Sequence, residues 1–170
     1  YNSIVAGGAN ACVLHHRAGN AELKDGDLCL IDAGCELDGY ASDITRTFPV
    51  NGKYSGPQRA IYDIVLAAQE AAIAVTKMGF DFQAPHDAAL KVLTQGLLDL
   101  NLLDKKIIGG LDNALETKAY QRFYMHRTSH WLGMDVHDVG NYREPGSSTE
   151  PKAWRSLKPN MVLTIEPGLY

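Results

Sequence analysis

The chain has few cysteines, no long apolar run and no cluster of positive charge, and each absence excludes a class of protein. Its three cysteines, Cys12, Cys29 and Cys35, are an odd number in apolar surroundings, which predicts buried, reduced thiols in a cytoplasmic protein. No apolar stretch approaches the ~20 residues that cross a bilayer, so we expect no membrane association. A formal net charge of −4 without any run of Lys or Arg argues against a nucleic-acid partner.

The signatures of two common sites are also missing. Gly7-Gly8 is followed neither by the Lys-Ser/Thr pair of a phosphate-binding loop nor by a third glycine, and no two cysteines have the spacing of a zinc site. What remains is an ordinary globular composition, with 45% hydrophobic and 21% charged residues in a chain of 170. We expect a single domain over residues 1–170, truncated at both ends, because Tyr1 is not a Met and the chain stops just after an apolar strand.

An Asp38-Gly39 pair lies between two β-prone runs in residues 28–48, which is the strongest short-range signal for a β-hairpin. The ladder that this turn sets up pairs Leu37 with Tyr40, Gly34 with Asp43 and Asp32 with Thr45. Asp32 and Asp43 then project from the same face, roughly 7–8 Å apart at the backbone. Two like charges directed into a core are costly unless a cation neutralises them, so the hairpin predicts a metal site.

The rest of the pattern alternates short strands with two helices. Ser55 and Gln58 fit a capping box, and apolar residues then recur at helical spacing until Gly79. A second helix is expected over about 83–100. Short strands are expected over 11–15 and 161–166. Two helices packed on one face of a largely antiparallel sheet would give an α+β fold.

Three histidines, His126, His130 and His137, lie close together in residues 125–140. A single histidine is more often structural than a ligand, but three of them in a chain with an aspartate pair favour a catalytic or metal site. The spacing of His126 and His130 is that of helical zinc proteases. Because position 127 is Arg rather than Glu, and a glycine soon afterwards argues against a helix, we reject that interpretation.

Glu166 ends an apolar strand, where a carboxylate is rarely buried without a partner. Two aspartates, this glutamate and a histidine make an oxygen-rich donor set that suits Mn²⁺, Fe²⁺, Co²⁺ or Zn²⁺ better than Ca²⁺. Shared carboxylates suit two ions about 3.5–4 Å apart. The residues alone leave the choice among these metals open.

Three motifs follow one another along most of the chain. They are Asp32-Ala-Gly with Ser42-Asp-Ile-Thr-Arg-Thr-Phe48, Ser129-His-Trp-Leu-Gly with Asp135-Val-His-Asp-Val-Gly140, and Val162-Leu-Thr-Ile-Glu-Pro-Gly-Leu-Tyr170. Together they resemble the bacterial aminopeptidase P family, the Xaa-Pro aminopeptidases of the pita-bread metallopeptidase group. The resemblance implies a curved, mostly antiparallel sheet with helices on its outer face.

The resemblance also implies a metal site. Two divalent ions, most often Mn²⁺, would be held by Asp32, by Asp43 as a bridging ligand, and by His130 and Glu166. A fifth ligand, a further glutamate, would lie downstream of position 170 and is absent from this chain. Metal affinity should fall without it.

The implied reaction is release of the N-terminal residue from peptides with proline in second position. A hydroxide bridging the two ions would attack the bond, and Glu166 would pass the water proton to the proline nitrogen. His126 and His137 would serve catalysis by donating to substrate oxygens. These two residues and His15 would line the substrate site.

Two alternatives remain open. Prolidase, which shares the fold, cleaves only Xaa-Pro dipeptides, although Ser129-His-Trp resembles aminopeptidase P more closely. A non-catalytic scaffold without metal is the other alternative for a chain that lacks one ligand. The resemblance further implies peptide substrates and a homo-oligomer for the full-length protein.

Overall fold

A computed structural model describes residues 1–146, 148 and 150–170 of the chain. Its regular elements are strands β1 (Ile4–Gly7), β2 (Leu28–Ala33), β3 (Glu36–Leu37), β4 (Tyr40–Ala41) and β5 (Ile44–Pro49), helices α1 (Gly56–Val75), α2 (Ala84–Asp99), α3 (Lys105–Ile108) and α4 (Leu111–Glu116), and 3-10 turns at Gly8–Cys12 and Ala119–Arg122. The predicted α+β class is confirmed, because antiparallel strands and helices occupy separate stretches of the chain.

Chain contacts divide the molecule into two compact units. The first unit comprises Tyr1–Ala60, Leu132–Asp138 and Tyr170, and the second comprises Ile61–Trp131 and Val139–Leu169. The expectation of a single domain over residues 1–170 stays a prediction.

The first unit contains an antiparallel sheet of order β1-β2-β5 and a separate pair, β3-β4. The predicted register is confirmed at both ends of the hairpin, where Asp32 pairs with Thr45 and Leu37 with Tyr40. The connecting Asp38 and Gly39 have φ values of 52° and 83°. Because two successive positive φ angles give the turn whose twist matches that of the strands, this Asp-Gly pair closes the hairpin.

The ladder is interrupted between the two strand pairs, beside Asp43. Here the Ser42 hydroxyl accepts from the Cys35 amide at 2.8 Å, and the Ser42 amide donates to the Cys35 carbonyl at 2.9 Å. Gly34 passes so close that an added Cβ would lie 1.8 Å from the Ser42 carbonyl oxygen. Only glycine therefore fits at position 34.

The strand predicted over 11–15 is wrong. Gly8–Cys12 forms a 3-10 turn, and the first strand lies earlier, at Ile4–Gly7. This strand has only four residues, with Ile4 and Ala6 buried, which is too short a pattern to recognise in the sequence.

The exposure of the cysteines also differs from expectation. All three are free thiols, but only Cys29 is buried, whereas Cys12 and Cys35 are exposed.

The two predicted long helices are present. The capping box at the start of α1 is confirmed, since the Ser55 amide donates to Gln58 Oε1 at 2.9 Å and the Gln58 amide lies 3.4 Å from Ser55 Oγ. Helix α1 ends at Val75, four residues before the predicted Gly79, and α2 runs from Ala84 to Asp99. None of the described helices has the length and apolarity needed to cross a membrane.

The second unit packs α2 closely against the part of α1 that belongs to it. Leu93 and Leu97 are fully buried, and a Cβ on Gly96 would lie 2.6 Å from a methyl carbon of Ile64. A separate apolar cluster contains Phe82, Trp131 and Leu157, with Trp154, Met161 and Leu163 packed against it. These contacts hold the segment that contains His126 and His130.

The strand predicted over 161–166 is wrong as a regular element within the described residues. Leu163 forms an isolated antiparallel bridge with Trp131, next to bonds from the Thr164 amide to the His130 carbonyl (3.0 Å) and from the Glu166 amide to the Thr128 carbonyl (2.9 Å). The His130 amide donates to the Thr164 hydroxyl at 3.1 Å instead of to a backbone carbonyl. Because a side-chain hydroxyl takes the place of a backbone carbonyl as the acceptor, the backbone hydrogen bonds between the two segments do not continue as a regular ladder.

Candidate metal centre

Asp32 and Asp43 converge in the first unit. Asp32 is the fifth residue of β2 and Asp43 directly precedes β5, so the hairpin register sets both positions. The hydroxyl of Tyr1 donates to Asp32 Oδ1 at 2.7 Å and lies 3.3 Å from Asp43 Oδ1. Both carboxylates therefore reach a single point, as the sequence predicts.

The electrostatics of this pair favour a cation. A phenol carries one hydrogen, so Tyr1 can satisfy one carboxylate well and the other only poorly. Tyr1 is 52% exposed, but partial desolvation of its hydroxyl raises the pKa above the ordinary value, and the hydrogen bond to Asp32 and the charges of both aspartates raise it further. Two negative groups directed at one point, with one hydroxyl hydrogen between them, are a suitable donor set for a divalent ion.

His130 and Glu166 form the corresponding pair in the second unit. The Nε2 atom of His130 lies 3.0 Å from Glu166 Oε1, and Nδ1 lies 2.9 Å from the Trp131 carbonyl oxygen. A carbonyl only accepts, so Nδ1 carries a hydrogen. In a neutral ring Nε2 then presents a lone pair to a carboxylate oxygen, and the two repel unless a proton or a cation lies between them.

This arrangement also fits a metal ligand. Histidines that bind metals through Nε2 commonly donate their other ring N–H to a carbonyl or carboxylate, which fixes the tautomer and the ring orientation. His130 meets that requirement through the carbonyl of its own neighbour, Trp131. The chemistry of the donor atoms therefore fits a divalent ion at this pair as well.

Thr164 connects the two members of this pair. Its hydroxyl donates to Glu166 Oε1 at 2.9 Å and accepts from the His130 amide at 3.1 Å, and the residue is buried. Burial would raise the pKa of Glu166, but hydrogen bonds from Thr164 and from the protonated form of His130, which carries a hydrogen on Nε2 as well, outweigh it and hold the pKa below the ordinary value. Glu166 is therefore ionised at neutral pH.

The other predicted site residues lie in different surroundings. His126 is half-buried in the second unit, where its Nδ1 lies 2.8 Å from the Arg127 carbonyl and Tyr124 packs against its ring with centroids 4.8 Å apart. His15 is exposed in a turn of the first unit. His137 is exposed in a bend of the first unit. This bend begins at Gly133, whose carbonyl accepts a hydrogen bond from the Ala41 amide at 2.8 Å.

Sequence reasoning missed two residues that contact the predicted ligands. Tyr1 touches both aspartates only because β1 runs antiparallel to β2 with Ile4 opposite Asp32, which brings the start of the chain to the hairpin. Thr164 lies two residues before Glu166, and this alternation in an extended segment was the one signal that could have identified it.

Comparison with known proteins agrees with these observations. The profile of metallopeptidase family M24 matches residues 1–170. A Xaa-Pro aminopeptidase of Haemophilus influenzae is 52% identical over 170 residues, which cover all of this chain and 37% of the relative. A Xaa-Pro aminopeptidase of Escherichia coli K12 is 47% identical, with 36% of its length covered. The chain thus spans little more than a third of the relatives it matches.

Solved structures show the same fold. The aminopeptidase PepP of Pseudomonas aeruginosa superimposes with a TM-score of 0.92 at 54% identity, over all of this chain and 36% of that protein. Zinc-substituted Escherichia coli aminopeptidase P in complex with product gives 0.89 at 46% identity, with the same coverage. Because the family profile covers the entire sequence, the chain belongs to metallopeptidase family M24.

Proposed function

We propose that this chain is part of the catalytic domain of a metal-dependent Xaa-Pro aminopeptidase, which releases the N-terminal residue from peptides with proline in second position. The observation that carries the proposal is the presence of paired ligand-type side chains, Asp32 with Asp43 and His130 with Glu166, in a chain that matches Xaa-Pro aminopeptidases over its full length. The activity, substrates and assembly of the whole protein are part of this proposal.

The proposed metal ligands are Asp32, Asp43, His130 and Glu166. Three carboxylates and one imidazole suit Mn²⁺ or a similar divalent ion, and Asp43 is the proposed bridging ligand of a two-ion site. When bound, such ions polarise the scissile carbonyl and lower the pKa of water at the site. Since Escherichia coli aminopeptidase P, which has a similar structure, is known in a zinc-substituted form, Zn²⁺ is a second metal to test.

Glu166 is the proposed proton carrier. Its lowered pKa keeps it ionised at neutral pH, so it can accept a proton from water and deliver it to the proline nitrogen that leaves. The hydroxyl of Thr164 fixes the carboxylate by donating to one of its oxygens, Oε1. The other carboxylate oxygen is the proposed site of proton transfer.

His126, His137 and His15 are the proposed substrate-binding residues, and the first two are also the proposed catalytic donors. The hydrogen on Nδ1 of His126 is directed at the Arg127 carbonyl, so the neutral ring can only accept at Nε2. Nε2 of His126 can therefore accept a peptide N–H of the substrate, and it donates to a substrate oxygen only when it carries a hydrogen as well.

Peptide cleavage tests this proposal. We expect the purified full-length protein with Mn²⁺ to release alanine from the tripeptide Ala-Pro-Ala and to leave the matched control Ala-Ala-Ala intact. Turnover of the dipeptide Ala-Pro alone would favour a prolidase. Absence of cleavage of all three peptides would refute both activities and leave a non-catalytic scaffold.

Three further properties of the full-length protein belong to the same proposal. Mn²⁺ is the expected physiological metal, the cytoplasm is the expected compartment, and a homo-oligomer is the expected assembly. Activity measured after reconstitution with Mn²⁺, Zn²⁺ or Co²⁺ ranks the metals, and sedimentation analysis gives the subunit number.

A further inference from the structure

A buried hydroxyl of the second unit lies outside the pairs described above. Thr128 is fully buried, and its Oγ1 atom lies 2.9 Å from Nδ1 of His86 and 2.7 Å from the hydroxyl of Tyr124. His86 belongs to the first turn of α2, whereas Tyr124 and Thr128 belong to the segment that contains His126 and His130. These two hydrogen bonds therefore attach that segment to α2.

The backbone of Thr128 extends this connection to Glu166. The Thr128 carbonyl accepts from the Glu166 amide at 2.9 Å. Since the side chain of Thr128 is held at Oγ1 by two partners, the orientation of its peptide group is restricted, and so is the position of the Glu166 backbone. Tyr124, the second partner, packs edge-on against the ring of His126 with centroids 4.8 Å apart.

The hydrogen count of the three groups allows a continuous chain of donors. A threonine hydroxyl donates once and can accept at the same time. Burial, with the positive charge of Arg127 and the neighbouring His126, lowers the pKa of His86 to about 4, so its ring is neutral at pH 7. Tyr124 can then donate to Thr128, and Thr128 can donate to Nδ1 of His86. Each hydroxyl hydrogen has an acceptor in this arrangement.

We propose that His86 and Tyr124 are positioning residues, which hold the Thr128 hydroxyl and thereby fix the carbonyl that anchors Glu166. Neither residue would touch metal or substrate in this role. The proposal rests on the proposed function, because it assigns Glu166 to the metal site. It predicts that loss of the Thr128 hydroxyl weakens metal binding without removing a ligand.

The experiment uses the full-length protein, first freed of metal and then titrated with Mn²⁺ by calorimetry. We expect Thr128→Val, which removes the hydroxyl and keeps the shape, to raise the Kd for Mn²⁺ about tenfold, as loss of groups that orient metal ligands typically does. At saturating Mn²⁺ it should lower kcat for Ala-Pro-Ala and change KM by less than about twofold, because the substrate contacts remain. Thr128→Ser should restore most of the Mn²⁺ affinity.

Thr94→Val is the matched control. Thr94 is as deeply buried in α2, and its hydroxyl has no hydrogen-bond partner in the described part of the chain, so its removal should leave the Kd for Mn²⁺ unchanged. If Thr128→Val does not fold, Tyr124→Phe is the alternative variant. It removes the one hydroxyl that contacts Thr128 from Tyr124, and it should also raise the Kd for Mn²⁺.

Three results would overturn the proposal. One is a folded Thr128→Val protein with the Mn²⁺ affinity of the wild type, and another is failure of Thr128→Ser to restore binding. The third is full additivity of His86→Leu and Thr128→Val, since two residues that act through one contact are expected to be non-additive. Wild-type protein that binds Mn²⁺ but cleaves no peptide would refute the proposed function, while the Mn²⁺ titrations would still decide the role of His86 and Tyr124.

Discussion

Thr164→Val gives the sharpest test of how the His130–Glu166 pair is held. The substitution keeps the shape of the side chain and removes one hydroxyl, which donates to Glu166 Oε1 at 2.9 Å and accepts from the His130 amide at 3.1 Å. Thr164 is only 7% exposed and the His130 side chain 13%, so water does not readily replace the bond to the His130 amide, whereas the Glu166 side chain, at 35%, can be partly rehydrated. Both groups would lose a hydrogen bond at once.

The magnitude follows from the two lost bonds. A buried amide left without an acceptor costs about 1–3 kcal/mol, and a hydrogen bond to a charged group contributes about 1.5–3 kcal/mol. Because the two effects share one atom and are not additive, we expect the free energy of unfolding to fall by about 3 kcal/mol. For a domain of this size that corresponds to a decrease in Tm of roughly 6–12 °C.

Thermal and urea unfolding of the metal-free protein measure this effect. Thr94→Val is again the control, because its buried hydroxyl has no partner among the described residues and its removal should change stability by less than about 1 kcal/mol. A Thr164→Val protein as stable as Thr94→Val would refute the reasoning, since the two contacts of Thr164 would then contribute nothing. Agreement of the thermal and urea midpoints checks that unfolding is two-state.

Three further predictions follow from the same structure. Gly34→Ala should destabilise the hairpin beside Asp43 by about 2 kcal/mol or more, because the added Cβ would lie 1.8 Å from the Ser42 carbonyl oxygen. The control Gly19→Ala should be neutral, since a Cβ there meets no atom within 4 Å, and equal unfolding midpoints for the two variants would contradict this prediction. The free energy of unfolding should fall as the pH drops from 6.5 to about 4, because the unfolded state protonates His86 and the folded state does not. The full shift corresponds to about 3 kcal/mol, and partial exposure of the ring reduces the expected loss to roughly 1–2 kcal/mol. Urea titrations at several pH values should show this loss in the wild type and a loss smaller by roughly 1–2 kcal/mol in His86→Leu. Asp43→Ala should leave the fold intact and abolish peptide hydrolysis, since a ligand of the proposed site is removed; activity within about tenfold of the wild type would argue against a bridging role.

The hairpin could be predicted because its determinants are local. Asp38 and Gly39 supply the two positive φ angles of the turn, and the register then follows from a period of two residues. That register places Asp32 and Asp43 on one face without any knowledge of the rest of the fold. The capping box of α1 was predictable for the same reason, because its partners are three residues apart.

The contacts that complete the candidate site depend on residues far apart in sequence. Tyr1 reaches Asp32 only after β1 has paired with β2, and Thr128 reaches His86 only after α2 has packed in the second unit. No local pattern marks these partners. The predicted strand over 161–166 failed for a related reason, since the Thr164 hydroxyl replaces a backbone carbonyl as acceptor for the His130 amide.

The central claim is that Asp32, Asp43, His130 and Glu166 bind divalent ions, and calorimetric titration of the metal-free full-length protein with Mn²⁺ tests it most directly. We predict saturable binding that Asp43→Asn and Glu166→Gln each weaken by at least about tenfold, because each removes a charged ligand. The control Asp99→Asn should bind like the wild type, since Asp99 pairs with Lys105 on the surface of the second unit. Absence of Mn²⁺ uptake, or equal uptake by all four proteins, would contradict the account.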